Sequence, residues 1–307
     1  MAVLPPVLEI LKTASACYPG FGPGAVKLKA VLCANALANP SQARNLLAPS
    51  PGSSLANLLR RRPEARGVLV WPFQCSDWSV KQRLDRFLEH YRLADELDEK
   101  YQFGVGDKLQ LLDLSEQSRG VCVILDQPSW FMREGGYTLN LFLDDFRAYS
   151  IAFALFEPKP GDLALYVGGI QGRDREEVLD IYRAMTKAFH GMRPRDLLIE
   201  NLRLFAKSIG ATQIICVGEE RRHHRHHFFG GKAKMGSAYD PIWEDRGGVR
   251  MADGDFDLPL TRPAKPLESV PAKKRSLYRK RYEFLEQIGA VAERQYQAAT
   301  AVRFDAI

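Results

Sequence analysis

The chain has 307 residues, 46% of them hydrophobic and 26% charged, which is ordinary globular usage and excludes wholesale disorder. Its formal charge of +6 permits an acidic partner such as nucleic acid, anionic lipid or a phosphorylated small molecule, and selects none. Five scattered cysteines without a CxxC pair exclude a disulfide scaffold or zinc ribbon, and no stretch approaches the roughly 18 apolar residues of a membrane span. The start carries Pro5 and Pro6 and no basic segment ahead of an apolar one. It makes a poor signal peptide, so a cytoplasmic protein is expected.

Residues 1–60 read as an N-terminal helical extension, with helix candidates at 7–11 and 25–37 and Pro/Gly/Ser-rich loops at 18–24 and 49–54. The main domain is expected over 61–307. Residues 67–72 read as a strand. Ser76 is placed to cap a helix over 77–97, whose buried stripe is Trp78, Leu84, Leu88 and Tyr91. Four β runs follow, at 109–114, 120–125, 137–143 and 146–156, joined by short polar turns as in an antiparallel meander. In the third, Leu139 and Leu141 alternate with Thr138 and Asn140, the pattern of a half-buried strand.

Residues 163–171 form an apolar run closed by glycines, a buried strand. A helix over 175–190 is predicted from Val178, Leu179, Tyr182, Met185 and Phe189, with Gly191 as its cap. Pro194 begins a second helix, which buries Leu197, Leu198, Leu202, Leu204 and Ile209 and stops at Gly210. Residues 212–217 are a second buried strand, and the crossover makes the two strands parallel. The expected class is therefore α/β with a mixed sheet: a meander leading into one parallel crossover. This order resembles the GNAT-type acyltransferases, whose fourth and fifth strands part to admit an acyl donor. The resemblance implies a transferase whose donor phosphates are held at a helix start.

The candidate residues cluster around that crossover. Arg193 and Arg195 open the second helix, either as an anion site or as an exposed helix start with Asp196 favoured by the dipole. The glycines of the GNAT pyrophosphate loop are absent before Leu197, which leaves the donor open between a CoA thioester and an aminoacyl-tRNA. Gly169 and Gln171 end the first strand, where glycine lets a ligand approach bare backbone and Gln171 can reach it; a plain turn is the other reading. Next comes the run Arg221, Arg222, His223, His224, Arg225, His226 and His227, after Glu219 and Glu220. His226 is taken as a general base and Glu219 as its orienting carboxylate or an arginine partner. In a helix His223 and His227 would share a face, but arginines interrupt the histidines and no acidic or cysteine ligand follows closely. No metal is expected.

Toward the C-terminus three motifs, at 232–243, 253–260 and 273–283, together with 165–172 and 191–196, resemble the VirK/YbjX family over roughly residues 60–290. That resemblance implies association with virulence, envelope maintenance and resistance to cationic antimicrobial peptides, and specifies no chemistry. Asp253, Asp255 and Asp257 lack the twelve-residue calcium pattern and read as a turn entering a strand. A helix from 273 to about 296 carries Lys273, Lys274, Arg275, Arg279, Lys280 and Arg281 in its first turns, a solvated face or an anion-binding one. Lys232 and Arg279 join Arg193, Arg195, Arg221 and Arg222 as candidate phosphate contacts. The expected activity is acyl or aminoacyl transfer from a phosphate-bearing small molecule or tRNA to an amine. The alternatives are a non-catalytic binder of nucleic acid or an anionic membrane surface, and an accessory partner of envelope proteins.

Overall fold

A computed structural model describes residues 7–173, 176–230, 238–263, 265–299 and 301–302. Its first four helices are α1 (Val7–Cys17), α2 (Pro23–Ala38), α3 (Pro40–Leu47) and α4 (Ser54–Arg61). Proline begins α2 and α3, where its missing N–H has no intrahelical partner to lose. Ile10, Leu32, Leu46 and Leu58 of these helices pack with Phe73 and with Leu84, Phe87 and Tyr91 of α5 (Val80–Glu96) in a core of their own. The expected strand at 67–72 is a correction: residues Pro63–Leu69 are a 3-10 helix. Val68, Leu69, Val70 and Trp71 are all buried there, and the Gly67 carbonyl accepts from both Val70 N and Trp71 N. A short apolar run fits a buried turn as well as a strand. The cap also moves, because Ser79 forms a reciprocal capping box with Gln82 and Ser76 lies outside the helix.

The meander forms as expected. β1 (Lys108–Asp113), β2 (Val121–Asp126), β3 (Tyr137–Leu143), β4 (Phe146–Phe156) and β5 (Ala164–Gly172) pair in succession, each antiparallel to the last. Then α6 (Glu176–Ala188) and α7 (Pro194–Ser208) lead to β6 (Gln213–Cys216), which is parallel to β5. Gly191 stands at φ 76° after α6, a left-handed position that costs glycine little. The short α8 (Asp240–Asp245), β7 (Val249–Arg250), β8 (Phe256–Asp257), the long α9 (Ala272–Ala298) and β9 (Ala301–Val302) complete the order. Among the described residues the sheet runs β7-β8-β6-β5-β4-β3-β2-β1-β9. The α/β class with a mixed sheet is thus present.

α5 and α7 pack on β4, and α9 lies against α7 and β1. The sheet core joins Leu139, Phe153 and Leu165 to Leu198 and Phe205 of α7 and to Phe284 and Ile288 of α9. β3 is not half-buried, because Thr138 and Asn140 are as enclosed as the leucines between them. Asn140 is satisfied there: its amide donates to Asp126 (2.9 Å), and Ser150 donates to its Oδ1 (2.7 Å). Among the described residues no helix is long and apolar enough to cross a membrane.

Candidate functional site

β5 and β6 pair over only four residues, from Ala164 opposite Gln213 to Val167 opposite Cys216. Val217 N makes one further bond to the Val167 carbonyl (2.9 Å), and the chain then leaves the sheet at Gly218 while β5 continues to Gly172. The strands therefore part, but the opening is filled by side chains. Ile170 N donates to the Tyr239 hydroxyl (3.0 Å), and Gln74 donates to the carbonyls of Tyr166 (2.8 Å) and Glu134 (3.2 Å). Pairing with β4 shifts between Val167 and Gly169, leaving Gly168 as the extra residue. A Cβ on Gly168 would lie 2.1 Å from the Glu134 carbonyl oxygen, and one on Gly169 would lie 2.0 Å from Glu134 Oε2. The two glycines are required because Glu134 comes this close.

Glu134 is the centre of a buried polar chamber. It is 3% exposed; Oε1 accepts from Gln171 Nε2 (2.7 Å), while Oε2 has no hydrogen-bond partner. Burial pushes its carboxyl up to about 8, against the opposing pull of Arg222 and of the Gln171 amide. Facing it, His223 is also 3% exposed, and the His224 ring lies against it, tilted by 41° with centroids 3.7 Å apart. Burial holds both imidazoles neutral, reinforced for His223 by His224 and for both by Arg133 and Arg222; His224 falls to about 4. Nδ1 of each histidine lacks a partner. Glu134, His223 and His224 each present a ligand-type atom, all within 4.8 Å of one another. Arg222 lies over the Tyr239 ring at 3.6 Å and pairs with Glu219 at 3.4 Å.

On the far side of Tyr239 and α8 lies an open groove of about 710 Å³. Arg193 and Arg195 line it from the start of α7, Arg246 from the end of α8, and Lys274 and Arg281 from α9. Its acidic members are Asp196, which pairs with Arg195 (2.9 Å) and Arg246 (3.7 Å), and Asp245, whose carboxyl is lowered by Arg246 and Arg195. Arg246 is 9% exposed, and its Nε has no partner.

Residues 23–293 match a protein family described as "protein of unknown function (DUF535)". The chain belongs to the DUF535 family. It is 32% identical over 254 residues to a protein of Escherichia coli K12 named "uncharacterized protein YbjX", covering 80% of this chain and 74% of that one. A Haemophilus influenzae protein named "uncharacterized protein" is 29% identical over 217 residues, 69% of this chain and 70% of its own. The resemblance to VirK/YbjX proteins is thereby borne out. No solved structure matches the chain.

Within this DUF535 chain the residues expected to form one site are dispersed. Gly169, Gln171 and Arg222 meet in the chamber, with Glu219 beside them as a structural clip. Glu219 accepts from Tyr239 N (2.9 Å) and pairs with Arg222 and Arg225, while Asp240 accepts from its N–H (2.7 Å). Arg221 turns away to Asp77 (3.4 Å), Asp255 (3.3 Å) and Asp253, so its charge is matched within the fold. The histidine run forms three 3-10 turns, Glu219–Arg221, His223–Arg225 and His227–Phe229, broken where Arg222 and His226 are extended. His223 and His227 therefore share no helix face. His226 Nδ1 accepts from Phe228 N (3.1 Å), and burial, His227 and Arg83 push its ring down to about 4, which ill suits a base at neutral pH.

Arg193 and Arg195 lie in the groove, Arg279 stands exposed on α9, and Lys232 lies outside the described residues. Glu134, Tyr239 and Arg246 were not singled out from the sequence. Glu134 sits in Arg133-Glu134-Gly135-Gly136, which reads as a turn, and its histidine partners stand some ninety positions later. The two glycines were the available signal: a Cβ on Gly135 would strike the Phe153 backbone at 2.4 Å, so this turn is pressed into the core.

Proposed function

We propose that this protein is an acyl- or aminoacyl-transferase of GNAT-like architecture, using a phosphate-bearing donor and an amine acceptor. The observation that carries the reading is the groove at the start of α7, where five cationic side chains face two acidic ones at a helix start that no side chain caps. Cations at a helix start oppose its dipole, a cost that a bound anion offsets. In this reading Arg193, Arg195 and Lys274 hold the donor phosphates, and the buried Arg246 adds its charge behind them. The acceptor nitrogen attacks the acyl carbonyl, the donor's thiol or ribose oxygen departs, and the amine proton leaves to solvent or to that oxygen or sulfur. Gln171 ends β5 with its amide on Glu134 in the chamber, so this reading assigns it no step at the donor. The strand order supports the architecture: antiparallel through β5, then parallel to a β6 that soon parts from it. An envelope or peptide amine as acceptor accords with the virulence and antimicrobial-peptide associations of VirK/YbjX-like proteins, and the reaction belongs in the cytoplasm.

The test is calorimetric titration with a CoA thioester and with an aminoacyl-tRNA, repeated for Arg193→Ala and Arg195→Ala. Binding of one donor, weakened at least about tenfold in both variants, supports the reading; each loss corresponds to the ~1.4 kcal/mol expected of a charged contact. No binding of either donor would end it.

A second reading rests on a separate observation. Lys273, Lys274, Arg275, Arg279 and Lys280 are all exposed along the first turns of α9. Such a face suits an anionic membrane surface or nucleic acid held without chemistry. Vesicles rich in anionic lipid would then bind with steep salt dependence, and Arg279→Ala combined with Lys280→Ala would weaken them while leaving donor titrations unchanged.

A further inference from the structure

The chamber between Glu134 and the histidine turn asks for an occupant. A carboxylate oxygen that is nearly sealed from water and has no hydrogen-bond donor is costly. Glu134 Oε2 is such an atom, and the unpartnered Nδ1 atoms of His223 and His224 belong to the two side chains that face it. The three side chains that carry these unpartnered atoms also bring ligand-type atoms within 4.8 Å of one another, an arrangement that a cation would satisfy. We propose that Glu134, His223 and His224 bind a divalent transition-metal ion.

The donor set, two imidazoles and one carboxylate within 4.8 Å of each other, is the one that catalytic zinc and non-haem iron sites use, and it leaves coordination positions for an exogenous ligand. The surroundings are those of a built site. Gln171 holds Oε1 of the carboxylate, the kind of outer bond that orients a metal ligand and leaves the second oxygen available. Gly169 has no Cβ where one would strike Oε2. The Glu134 loop is fixed by Gln74, whose N–H donates to the Arg133 carbonyl (2.7 Å) and whose side chain donates to that of Glu134. The histidine turn is fixed on its own side, where Ser76 N donates to the Arg221 carbonyl (2.7 Å).

Two cationic neighbours argue the other way, and both have other engagements. Arg222 is stacked on Tyr239 and paired with Glu219, and Arg133 lies over the rings of Trp71, Phe228 and Phe229. The inference stands apart from the transferase reading, because metal content is measured without any donor or turnover.

The experiment uses the full chain without a histidine tag. Retention of about one Zn²⁺ per chain after dialysis, and ligand-field absorption when Co²⁺ replaces it, are expected from this donor set. Glu134→Gln and His223→Ala should each lower Zn²⁺ affinity at least about tenfold, and Gln171→Ala about 10–100-fold, as loss of an orienting partner does. His227→Ala, on the exposed turn, should leave it unchanged. Wild-type protein that retains no Zn²⁺ and gives no Co²⁺ bands overturns the proposal. So does zinc held equally by Glu134→Gln and His223→Ala but lost in His227→Ala. Should Glu134→Gln fail to fold, the wild-type Co²⁺ spectrum and the surface-accessible Gln171→Ala decide the question.

Discussion

The chamber and the groove lie on opposite sides of Tyr239 and α8, and they solve opposite electrostatic problems. In the groove, charge is plentiful and mostly paired, with Asp245 half exposed and Asp196 and Arg246 buried within their ion pairs. In the chamber, few polar groups are present, yet Glu134 and His223 are sealed off, each with a polar atom unpartnered. An ionic contact of an exposed groove side chain is worth little on its own, whereas an unmatched atom sealed in the chamber weighs on the stability of the whole fold. The difference teaches that the number of charges is a poor guide to where a site is built. The arginine-rich run that stands out most in the sequence serves mainly to dock one loop, through Arg221 and Arg222, while a single glutamate from a glycine turn organises the chamber.

The largest effect is expected at the wall that the two regions share. Trp243 is fully buried and its indole donates to the Val217 carbonyl (3.0 Å), so Trp243→Ala should cost about 3–5 kcal/mol in urea unfolding and disturb both regions together. Damage to only one of them would show that α8 is not their common support.

The next effect belongs to the packing under the glycine turn that carries Glu134. His90 is completely buried under Gly136, its Nδ1 accepts from Leu155 N (3.1 Å), and burial lowers its pKa to about 3. The folded state keeps the ring neutral while the unfolded chain takes up a proton near ~6.5. Its contribution to stability is therefore present above that pH and lost progressively as pH falls toward 3. Replacing His90 by Gln should flatten the slope of unfolding free energy against pH over this window; an unchanged slope would assign the acid sensitivity elsewhere.

Gly169→Ala sharpens the contrast on a smaller scale. Its new methyl would displace the Glu134 carboxylate, at about 1–3 kcal/mol in stability, and should abolish metal retention while donor binding in the groove persists. The smallest stability effect is expected for Arg193→Ala, an exposed side chain whose loss should shift stability by no more than about 0.5 kcal/mol. Arg193 matters through ligand binding, and a larger thermal shift in the free protein would make it structural.

Much of the architecture was legible because it is local. Apolar runs bounded by Gly120, Gly161, Gly191 and Gly210, each at positive φ, mark where strands and helices end, and the order of those runs dictates a meander followed by a parallel crossover. Local pattern misled where burial had two outcomes. Residues 67–72 are as apolar as a strand but plug the helical core as a 3-10 turn, and Thr138 and Asn140 alternate like solvent-facing residues yet are enclosed and hydrogen-bonded. The histidine run was visible and its spacing misleading, since periodicity assumes a helix that Arg222 and His226 interrupt.

What the sequence determined by itself is the succession of elements, the mixed α/β class, the kinship with YbjX and the presence of basic residues near the start of α7, because these depend on neighbours in the chain. Only the tertiary structure decided which charges are already answered and which are not. Arg221 finds its acids at positions 77, 253 and 255, and Glu134 meets His223 and His224 across some ninety residues. Whether a polar atom has a partner is a property of three-dimensional packing, and no spacing along the chain encodes it.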